Sequence, residues 1–220
     1  MSALLDIRGL KAGYIPEVDV LQGIDLSVNS GETIGILGLN GSGKSSIAKA
    51  IAGQIPFRTG SILFNGDSLM TVRPDRLRAM GISYMRQEGG VFGNLTVEEN
   101  LYLASRDVQY LPSFFAAKKK MQADRLSGGE RQLLAFSMAL SSNTKLLILD
   151  EPSAGLSPSA ADEIYETMKR IIRERALTVL LIEQNVARAV SLSTRVAWVA
   201  DGRLAIEPAD FEYLKNKHFV

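Results

Sequence analysis

The sequence predicts an α/β domain with a mainly parallel sheet, and three observations support this fold class. Residues 33–37 form an apolar run that leads into a glycine-rich loop and then into a segment of helical composition. Residues 145–149 and 176–182 form two further apolar runs, and helical segments lie between the runs. Continuous apolar strands that alternate with helices are typical of parallel sheets covered on both faces.

The length and composition fit a single α/β domain and argue against several other classes of protein. The chain has 220 residues, 46% of them hydrophobic, which suits one α/β domain or one domain with a smaller insertion. Lys and Arg number 25 against 24 Asp and Glu, and the net charge of +1 argues against a dedicated nucleic-acid-binding protein. The lack of cysteine excludes a disulfide framework and a thiolate metal site, and it suits a cytoplasmic compartment.

The sequence shows no sign of export or of a membrane span. Residues 1–11 mix Asp6 and Arg8 into their apolar positions and lack the apolar core of a signal peptide. No stretch comes near the roughly 18 uninterrupted apolar residues of a transmembrane helix. We therefore expect any membrane role to depend on a partner.

Two strands open the chain. Residues 3–10 and 18–28 alternate apolar and polar side chains, and a turn at 29–31 leads into the next strand. Tyr14 lies between the two strands. A tyrosine in a loop is usually a packing residue, but the place of Tyr14 shortly before a phosphate-binding loop makes stacking on an adenine ring the alternative.

The loop after the third strand matches the pattern G-x-x-x-x-G-K-[ST] with the residues GLNGSGKS at 38–45. Glycines let the backbone bring its N–H groups to phosphate oxygens, and the following helix directs its positive dipole end at the same anion. The pattern assigns Lys44 to the β- and γ-phosphates of a nucleotide and the Ser45 hydroxyl to Mg²⁺. The expected nucleotide contacts are Gly38, Asn40, Gly41, Ser42, Gly43, Lys44, Ser45 and Ser46.

Short elements punctuated by glycines follow the loop. The predicted elements are a helix at 46–52, a strand at 60–66, a helix at 75–80 and a strand at 82–85. Gln87 comes directly after the last of these strands, at the end where open α/β sheets place their ligand contacts. A solvated side chain is the other interpretation of Gln87.

The region between 96 and 124 contains one clear helix. Thr96 and Glu99 form a capping box that predicts a helix at 97–104. Residues 109–124 follow no clear period and include the basic run 118–120. This run forms either a solvated helix face or a contact with acidic lipid head groups or a partner surface.

A second glycine-containing segment, LSGGERQ at 126–132, opens a strong helix predicted at 130–140. Two glycines at a helix start are costly unless the backbone must approach something closely. A helix N-terminus with a serine hydroxyl favours an anion, and a phosphate is the natural candidate.

The strand predicted at 145–149 ends in Asp150 and Glu151. Two adjacent carboxylates at the end of a buried strand are costly without a counter-charge, which a magnesium–nucleotide complex would supply. The first would then hold the metal or its water, and the second would orient or deprotonate the attacking water. Structural salt bridges are the alternative interpretation.

The remaining chain continues the alternation. Ser157 and Pro158 supply the N-cap and the first residue of a helix at 159–174, and the strand at 176–182 delivers Glu183, Gln184 and Asn185 at its end. A helix through residue 192, a hairpin at 195–199 and 203–206 and a closing helix at 208–217 complete the prediction.

Taken together, these motifs resemble the ATP-binding subunit of an ABC transporter. The resemblance is specific because the whole set of motifs occurs in order. The motifs are the phosphate loop, Gln87 as the Q-loop, the signature at 126–132, the Walker B strand at 146–151 and the D-loop at 153–157. The resemblance covers residues 3–207. It implies one ABC ATPase domain over 1–220, with a P-loop NTPase core, an N-terminal antiparallel β-subdomain and a helical subdomain inserted at about 88–140.

The resemblance also implies roles for individual residues. In this family two ATPases face each other head to tail, and each ATP lies between the phosphate loop of one and the signature of the other. By this resemblance Tyr14 stacks on adenine, Glu151 is the catalytic base, and the γ-phosphate is contacted in trans by the signature residues. The implied Mg²⁺ ligands are Ser45, Gln87 and Asp150, and the implied trans contacts are Ser127, Gly128 and Gly129.

Gln184 departs from the family pattern, which usually carries a γ-phosphate-contacting histidine at this position. Glutamine can donate a hydrogen bond but cannot become cationic, so we expect weaker stabilisation of the γ-phosphate. Residues 182–185 and 87–100 resemble one subfamily, the second ATPase of importers for branched-chain amino acids and for related amides or urea.

The subfamily resemblance implies a set of partners. They are membrane permease subunits, a non-identical second ATPase, and a periplasmic or extracellular solute-binding protein. The non-identical second ATPase makes a heterodimer the favoured assembly. The chain would then act at the cytoplasmic face of the cell membrane without binding nucleic acid.

Two other functions compete with a transport ATPase. A soluble ABC ATPase of DNA repair separates the phosphate loop from the signature by a long coiled coil, which this sequence lacks, and translation ATPases usually carry two such domains. A small-molecule kinase would leave the signature and the D-loop unexplained.

Overall fold

The computed structural model describes residues 3–87, 89–104, 113–140 and 143–218, and only the backbone of residues 113 and 114. Within these ranges the chain forms a four-stranded antiparallel sheet and a six-stranded main sheet. The strands are β1 (Leu5–Gly13), β2 (Leu21–Val28), β3 (Thr33–Gly38), β4 (Phe57–Phe64), β5 (Asp67–Ser68), β6 (Ile82–Met85), β7 (Leu146–Asp150), β8 (Thr178–Ile182), β9 (Arg195–Ala200) and β10 (Arg203–Pro208).

The main sheet has the order β10-β9-β3-β8-β7-β6, and all of its neighbouring pairs are parallel except β9 with β10. The antiparallel sheet has the order β2-β1-β4-β5. The predicted α/β class with a mainly parallel sheet and an N-terminal antiparallel sheet is therefore confirmed.

Helices cover both faces of the main sheet. They are α1 (Lys44–Ile51), α2 (Pro74–Met80), α3 (Val97–Ala104), α4 (Gly128–Ala139), α5 (Pro158–Glu174), α6 (Val186–Leu192) and α7 (Phe211–His218). Two 3-10 helices, Ser113–Lys118 and Ala123–Arg125, lie between α3 and α4. None of the helices in the described ranges is both long enough and apolar enough to cross a bilayer.

Alternation along the central strands builds one core on each face of the main sheet. Leu146 and Ile148 of β7 point into the core shared with α1 and the antiparallel sheet. Leu147 and Leu149 point into the core shared with α3, α4 and α5. Because successive strand side chains face opposite ways, an unbroken apolar run is what a doubly covered strand requires.

The starts of β4 and α4 differ from the predicted starts. β4 begins at Phe57 rather than at residue 60, because Gly60 sits inside the strand at a positive φ of 92° instead of ending it. A Cβ on Gly60 would lie 2.5 Å from the carbonyl oxygen of Gly9, so this glycine permits close strand contact at an irregularity in the β1–β4 register. α4 begins at Gly128, two residues early, because Ser127 forms its N-cap.

The basic run 118–120 is not a uniform solvated helix face. Lys118 ends a 3-10 helix and forms a salt bridge with Glu130 of α4. Lys119 and Lys120 are exposed. Residues 109–112, which belong to the segment without a clear period, lie outside the described residues.

Candidate nucleotide-binding site

The site is assembled at one edge of the main sheet. β3, β8, β7 and β6 are neighbours, run parallel and pair in register. Their carboxyl ends therefore deliver the residues that follow each strand to the same edge, where ligands of open α/β sheets bind. In sheet order, these residues are the phosphate loop 38–45, Glu183-Gln184, Glu151 and Gln87.

The phosphate loop depends on its glycines for its shape. Gly38 has a φ of 149°, and a Cβ there would lie 2.2 Å from the carbonyl oxygen of Val199, so only glycine fits against the end of β9. Gly43 has a φ of 105° and forms the N-cap of α1. Since the first N–H groups of a helix have no intrahelical acceptor, the N–H groups that begin at Lys44 are available to an anion.

Lys44 is buried, with 4% of its surface exposed. Its Nζ donates hydrogen bonds of 2.9 Å to the carbonyl oxygens of Gly38 and Leu39. Burial lowers the pKa of the Lys44 ammonium, while the carboxylates of Glu151 and Asp150 oppose this shift. Because hydrogen bonds between ionised groups are stronger than those to neutral carbonyls, phosphate oxygens would compete well for this ammonium.

Asp150 is buried, with 3% exposed, and both of its carboxylate oxygens accept hydrogen bonds. Ser45 Oγ donates to Oδ1 at 2.8 Å, and the Tyr84 hydroxyl donates to Oδ2 at 2.9 Å. Burial and the neighbouring Asp150 raise the pKa of Tyr84, so this phenol remains a donor. The structure thus brings together the predicted pair Ser45 and Asp150.

The oxygen donors of this pair suit Mg²⁺, which binds through one or two carboxylates together with substrate phosphates. In the part of the chain that the structure describes, there is no cluster of three or more His, Cys, Asp or Glu residues that would hold a metal on its own. A hydroxyl beside a single carboxylate therefore fits a metal that arrives with a nucleotide.

Glu151 accepts hydrogen bonds from two amide side chains. Gln87 Nε2 donates to Oε2 at 3.0 Å, and Gln184 Nε2 donates to Oε1 at 2.7 Å. The Glu151 backbone has a φ of 48°, and its N–H donates to the carbonyl oxygen of Ile182 at 2.9 Å. Non-glycine residues in this left-handed region are costly and cluster at active sites.

Tyr14 lies beside the start of α1. Its hydroxyl is 3.3 Å from Ser46 Oγ, and Lys49 Nζ is 5.7 Å from the centroid of its ring. The residue is 44% exposed, which is more than a buried packing residue would be. The free surface of the ring is available to a flat ligand.

The signature residues begin a helix that packs against other elements than α1 does. Ser127 caps α4 through a reciprocal pair of bonds, in which the Glu130 N–H donates to its Oγ at 3.3 Å and its own N–H donates to Glu130 Oε2 at 3.0 Å. α4 contacts α3, α5 and β6, whereas α1 contacts β3 and β7. Among the hydrogen bonds of the described residues, none joins Ser127, Gly128 or Gly129 to the group around Lys44.

Sequence reasoning assigned no role to two polar side chains of this site. Tyr84 donates to Asp150 from the neighbouring strand, and no local pattern marked it. Glu183 is 3% exposed and accepts four hydrogen bonds, and its place directly after a buried apolar strand was the available signal.

Comparison with known proteins identifies the family. Residues 21–154 match the family model described as ABC transporter. The chain is 36% identical over 222 residues to the probable branched-chain amino acid transport ATP-binding protein LivF of Archaeoglobus fulgidus, covering 96% of this chain and 94% of that protein. It is 34% identical over 215 residues to the high-affinity branched-chain amino acid transport ATP-binding protein BraG of Pseudomonas aeruginosa, covering 92% of each.

A solved structure has the same fold. The nucleotide-free ATP-binding cassette from an ABC transporter superposes with a TM-score of 0.82 at 24% identity, covering 97% of this chain and 94% of that chain. The family model spans more than half of this chain, and the two relatives span nearly all of it. The chain therefore belongs to the ABC transporter family, as an ATP-binding and ATP-hydrolysing subunit that powers a membrane transporter.

Proposed function

We propose that the chain hydrolyses ATP to drive an importer of branched-chain amino acids or of related small polar solutes. The names of LivF and BraG support this substrate class. The resemblance of residues 87–100 and 182–185 to the second ATPase of such importers supports it as well. The observation that carries the chemistry is the convergence of Lys44, Asp150 and Glu151 at the carboxyl ends of β3 and β7, which flank β8 in the sheet.

The phosphate loop binds the phosphates of ATP. Its backbone N–H groups, from Gly38 to Ser46, surround the β-phosphate, and Lys44 exchanges its two carbonyl acceptors for β- and γ-phosphate oxygens. Ser45, Asp150 and Gln87 would hold Mg²⁺. When bound, this ion offsets the negative charge that develops on the phosphates.

Glu151 acts as the general base. Its carboxylate accepts from two neutral amides, which orient both oxygens without neutralising them. When ATP binds, the attacking water replaces one of these donors and passes its proton to Glu151. The Gln184 amide has two N–H donors, so one bonds to the γ-phosphate while the other stays on Glu151. As a neutral donor, Gln184 stabilises the transferred group less than a cationic histidine would.

The second half of the site comes from another ATPase. Ser127, Gly128 and Gly129 present the N-terminus of α4 to the γ-phosphate of ATP held by the partner, and the partner does the same for this chain. We infer a heterodimer with a non-identical ATPase, a permease in the membrane and a solute-binding protein outside it. The complex would hold this chain at the cytoplasmic face.

The substitution Glu151→Gln tests the assignment of the base. The amide cannot accept a proton, so we expect ATP binding to persist while turnover falls by about 10²- to 10⁴-fold. Hydrolysis and nucleotide binding are measured on the assembled transporter. Glu212→Gln, an exposed change on α7, is the control with the same chemistry and should hydrolyse at the normal rate. Near-normal turnover in Glu151→Gln would remove Glu151 from the mechanism.

The identity of the transport system is tested by isolating the chain from its native membranes. The tagged chain is extracted in mild detergent, and its partners are identified by mass spectrometry. We expect hydrophobic multi-spanning proteins and a second ATPase. Recovery of soluble partners alone would contradict the transporter assignment while leaving the ATP site in place.

A further inference from the structure

Glu183 is a buried carboxylate to which the proposed chemistry assigns no role. It follows β8 directly and is 3% exposed. Removing a carboxylate from water is costly unless its oxygens are fully hydrogen-bonded. An apolar residue would extend the strand without this cost, so the arrangement of its partners needs an explanation.

Four donors from three segments converge on this carboxylate. Oε1 accepts from the Ser153 hydroxyl at 2.7 Å and from the Tyr165 hydroxyl on α5. Oε2 accepts from the backbone N–H groups of Gln184 at 2.8 Å and Asn185 at 3.0 Å. One side chain thereby joins the segment 153–157, the helix α5 and the turn that leads into α6.

The joined segments are those that carry the proposed catalytic groups. Ser153 lies two residues after Glu151, and the Ala154 N–H donates to the Glu151 carbonyl oxygen at 3.0 Å. On the other side, the backbone of Gln184 is held by Glu183 while its side chain donates to Glu151 Oε1 at 2.7 Å. The Glu183 carboxylate thus lies between the two backbones whose side chains meet at the reacting centre.

A cation strengthens the same network from outside. Arg188 Nη1 donates to Ser153 Oγ at 3.4 Å, and its guanidinium lies 6.0 Å from the centroid of the Tyr165 ring. Its Nε is 3.4 Å from Asp162 Oδ1. Arg188 therefore supports both hydroxyl donors of Glu183 and fixes them relative to α5 and α6.

We propose that Glu183 is a positioning residue that locks the segment 153–157 and α5 to the turn carrying Gln184, and so fixes the Gln184 amide against Glu151. This proposal rests on the proposed role of Glu151. Glu183 is buried and both of its oxygens already accept hydrogen bonds, so we assign it no contact with the nucleotide or the water. It sets the geometry of the two side chains that make these contacts, and this pre-organisation avoids a reorganisation cost in the reaction.

The test removes single donors rather than the carboxylate. Tyr165→Phe deletes one hydroxyl from the network and keeps the ring in place. In the assembled transporter, we expect kcat to fall by about tenfold and KM for ATP to change by less than about twofold. Because Tyr165 acts through Gln184, we expect the double variant Tyr165→Phe/Gln184→Ala to be no slower than Gln184→Ala alone.

Thr178→Val is the matched control. Thr178 lies at the opposite end of β8, is 1% exposed and accepts a hydrogen bond from the Gly31 N–H at 2.9 Å. Its loss should lower Tm while kcat stays normal. If the Glu183 network is purely structural, Tyr165→Phe should also lower Tm and leave kcat normal, or the kcat losses of Tyr165→Phe and Gln184→Ala should multiply in the double variant. Either result would overturn the proposal.

Two further measurements make the outcome decisive. Ser153→Ala removes the other hydroxyl and replaces Tyr165→Phe if that variant does not fold, with the same expected results. Glu151→Gln is assayed in parallel. If Glu151→Gln is inactive while both hydroxyl variants keep full kcat, the positioning proposal alone fails. If Glu151→Gln turns over normally, the proposed function fails with it.

Discussion

At the scale of single residues, the site concentrates charges that the fold has removed from water. Lys44 is 4% exposed, and Asp150 and Glu183 are each 3% exposed. Each is stabilised by hydrogen bonds. The Lys44 ammonium donates to carbonyl oxygens of the loop, and the two carboxylates accept from hydroxyl or N–H donors. Such groups are costly to hold without partners, so their placement at one sheet edge indicates that a charged ligand belongs there.

Tyr14 provides a prediction at this scale. If its exposed ring stacks on adenine, Tyr14→Ala should weaken ATP binding by about 1–3 kcal/mol, the usual contribution of stacking on a base. Tyr14→Phe keeps the ring and loses only the hydroxyl that contacts Ser46, so its affinity should stay close to that of the wild type. Titration calorimetry with ATP measures both. Equal affinity in the alanine variant would show that the ring contributes no stacking.

At the scale of elements, the N-terminus of α4 combines a structural role with a proposed functional one. Ser127→Ala removes a capping box, which costs about 1 kcal/mol, and it also removes the hydroxyl proposed to contact the γ-phosphate of the partner site. We expect a lower Tm together with a loss of ATP hydrolysis in the assembled complex.

Thr96→Ala is the matched control for this prediction. Thr96 forms the same reciprocal bonds with Glu99 at the start of α3. The Glu99 N–H donates to Thr96 Oγ1 at 3.2 Å, and the Thr96 N–H donates to Glu99 Oε2 at 2.7 Å. It should lower Tm by a similar amount and leave basal hydrolysis unchanged. Parallel losses of hydrolysis in the two variants would mean that capping alone explains Ser127.

The attachment of α7 should depend on pH. His218 stacks on Trp198 at 3.7 Å between ring centroids and 5° between planes. Burial lowers the pKa of His218 below its ordinary value of 6.5, Lys217 adds to the shift, and the Glu207 carboxylate opposes it. The unfolded helix therefore binds a proton before the docked helix does, so docking weakens as the pH falls below 6.5 and is fully stable above it.

Trp198 reports this transition directly, because it is the only tryptophan of the chain. We expect its fluorescence and the Tm to fall between about pH 7 and pH 5. His218→Phe keeps an aromatic ring against Trp198 but cannot titrate, so its pH dependence should be flatter. An identical pH dependence in the two proteins would assign the transition to other groups.

At the scale of the whole molecule, the proposed function assigns parts of two half-sites to a single chain. The phosphate loop precedes α1, which packs on β3 and β7, and the signature precedes α4, which packs on α3, α5 and β6. This separation supports the proposal that a complete site needs a second ATPase, and the neutral Gln184 supports the proposal that this partner carries a complete site of its own.

This assembly leads to a measurable prediction. Glu151→Gln, which should bind ATP without turnover, is expected to remain monomeric with magnesium and ATP in light scattering. It should dimerise only when the sister ATPase is added. Homodimerisation of Glu151→Gln with magnesium and ATP would contradict the heterodimer.

Local patterns predicted most of the elements and the chemistry of the loop. β6 and α3 have the predicted bounds. A short apolar run predicts β6 and a capping box predicts α3, and each of these signals lies within a few consecutive residues. The predicted strand at 60–66 begins later than β4 because Gly60 was interpreted as a strand boundary. Its role as a close contact with Gly9 depends on a strand far away in the sequence.

The sequence by itself determined the family, the phosphate loop and the order of the motifs, because each depends on residue types at fixed local spacing. Only the tertiary structure decided which side chains meet. Gln87 and Gln184 both bond to Glu151, and Glu183 joins segments that are far apart along the chain. These contacts follow from the order and register of parallel strands whose pairing is set by long-range packing, so no local pattern encodes them.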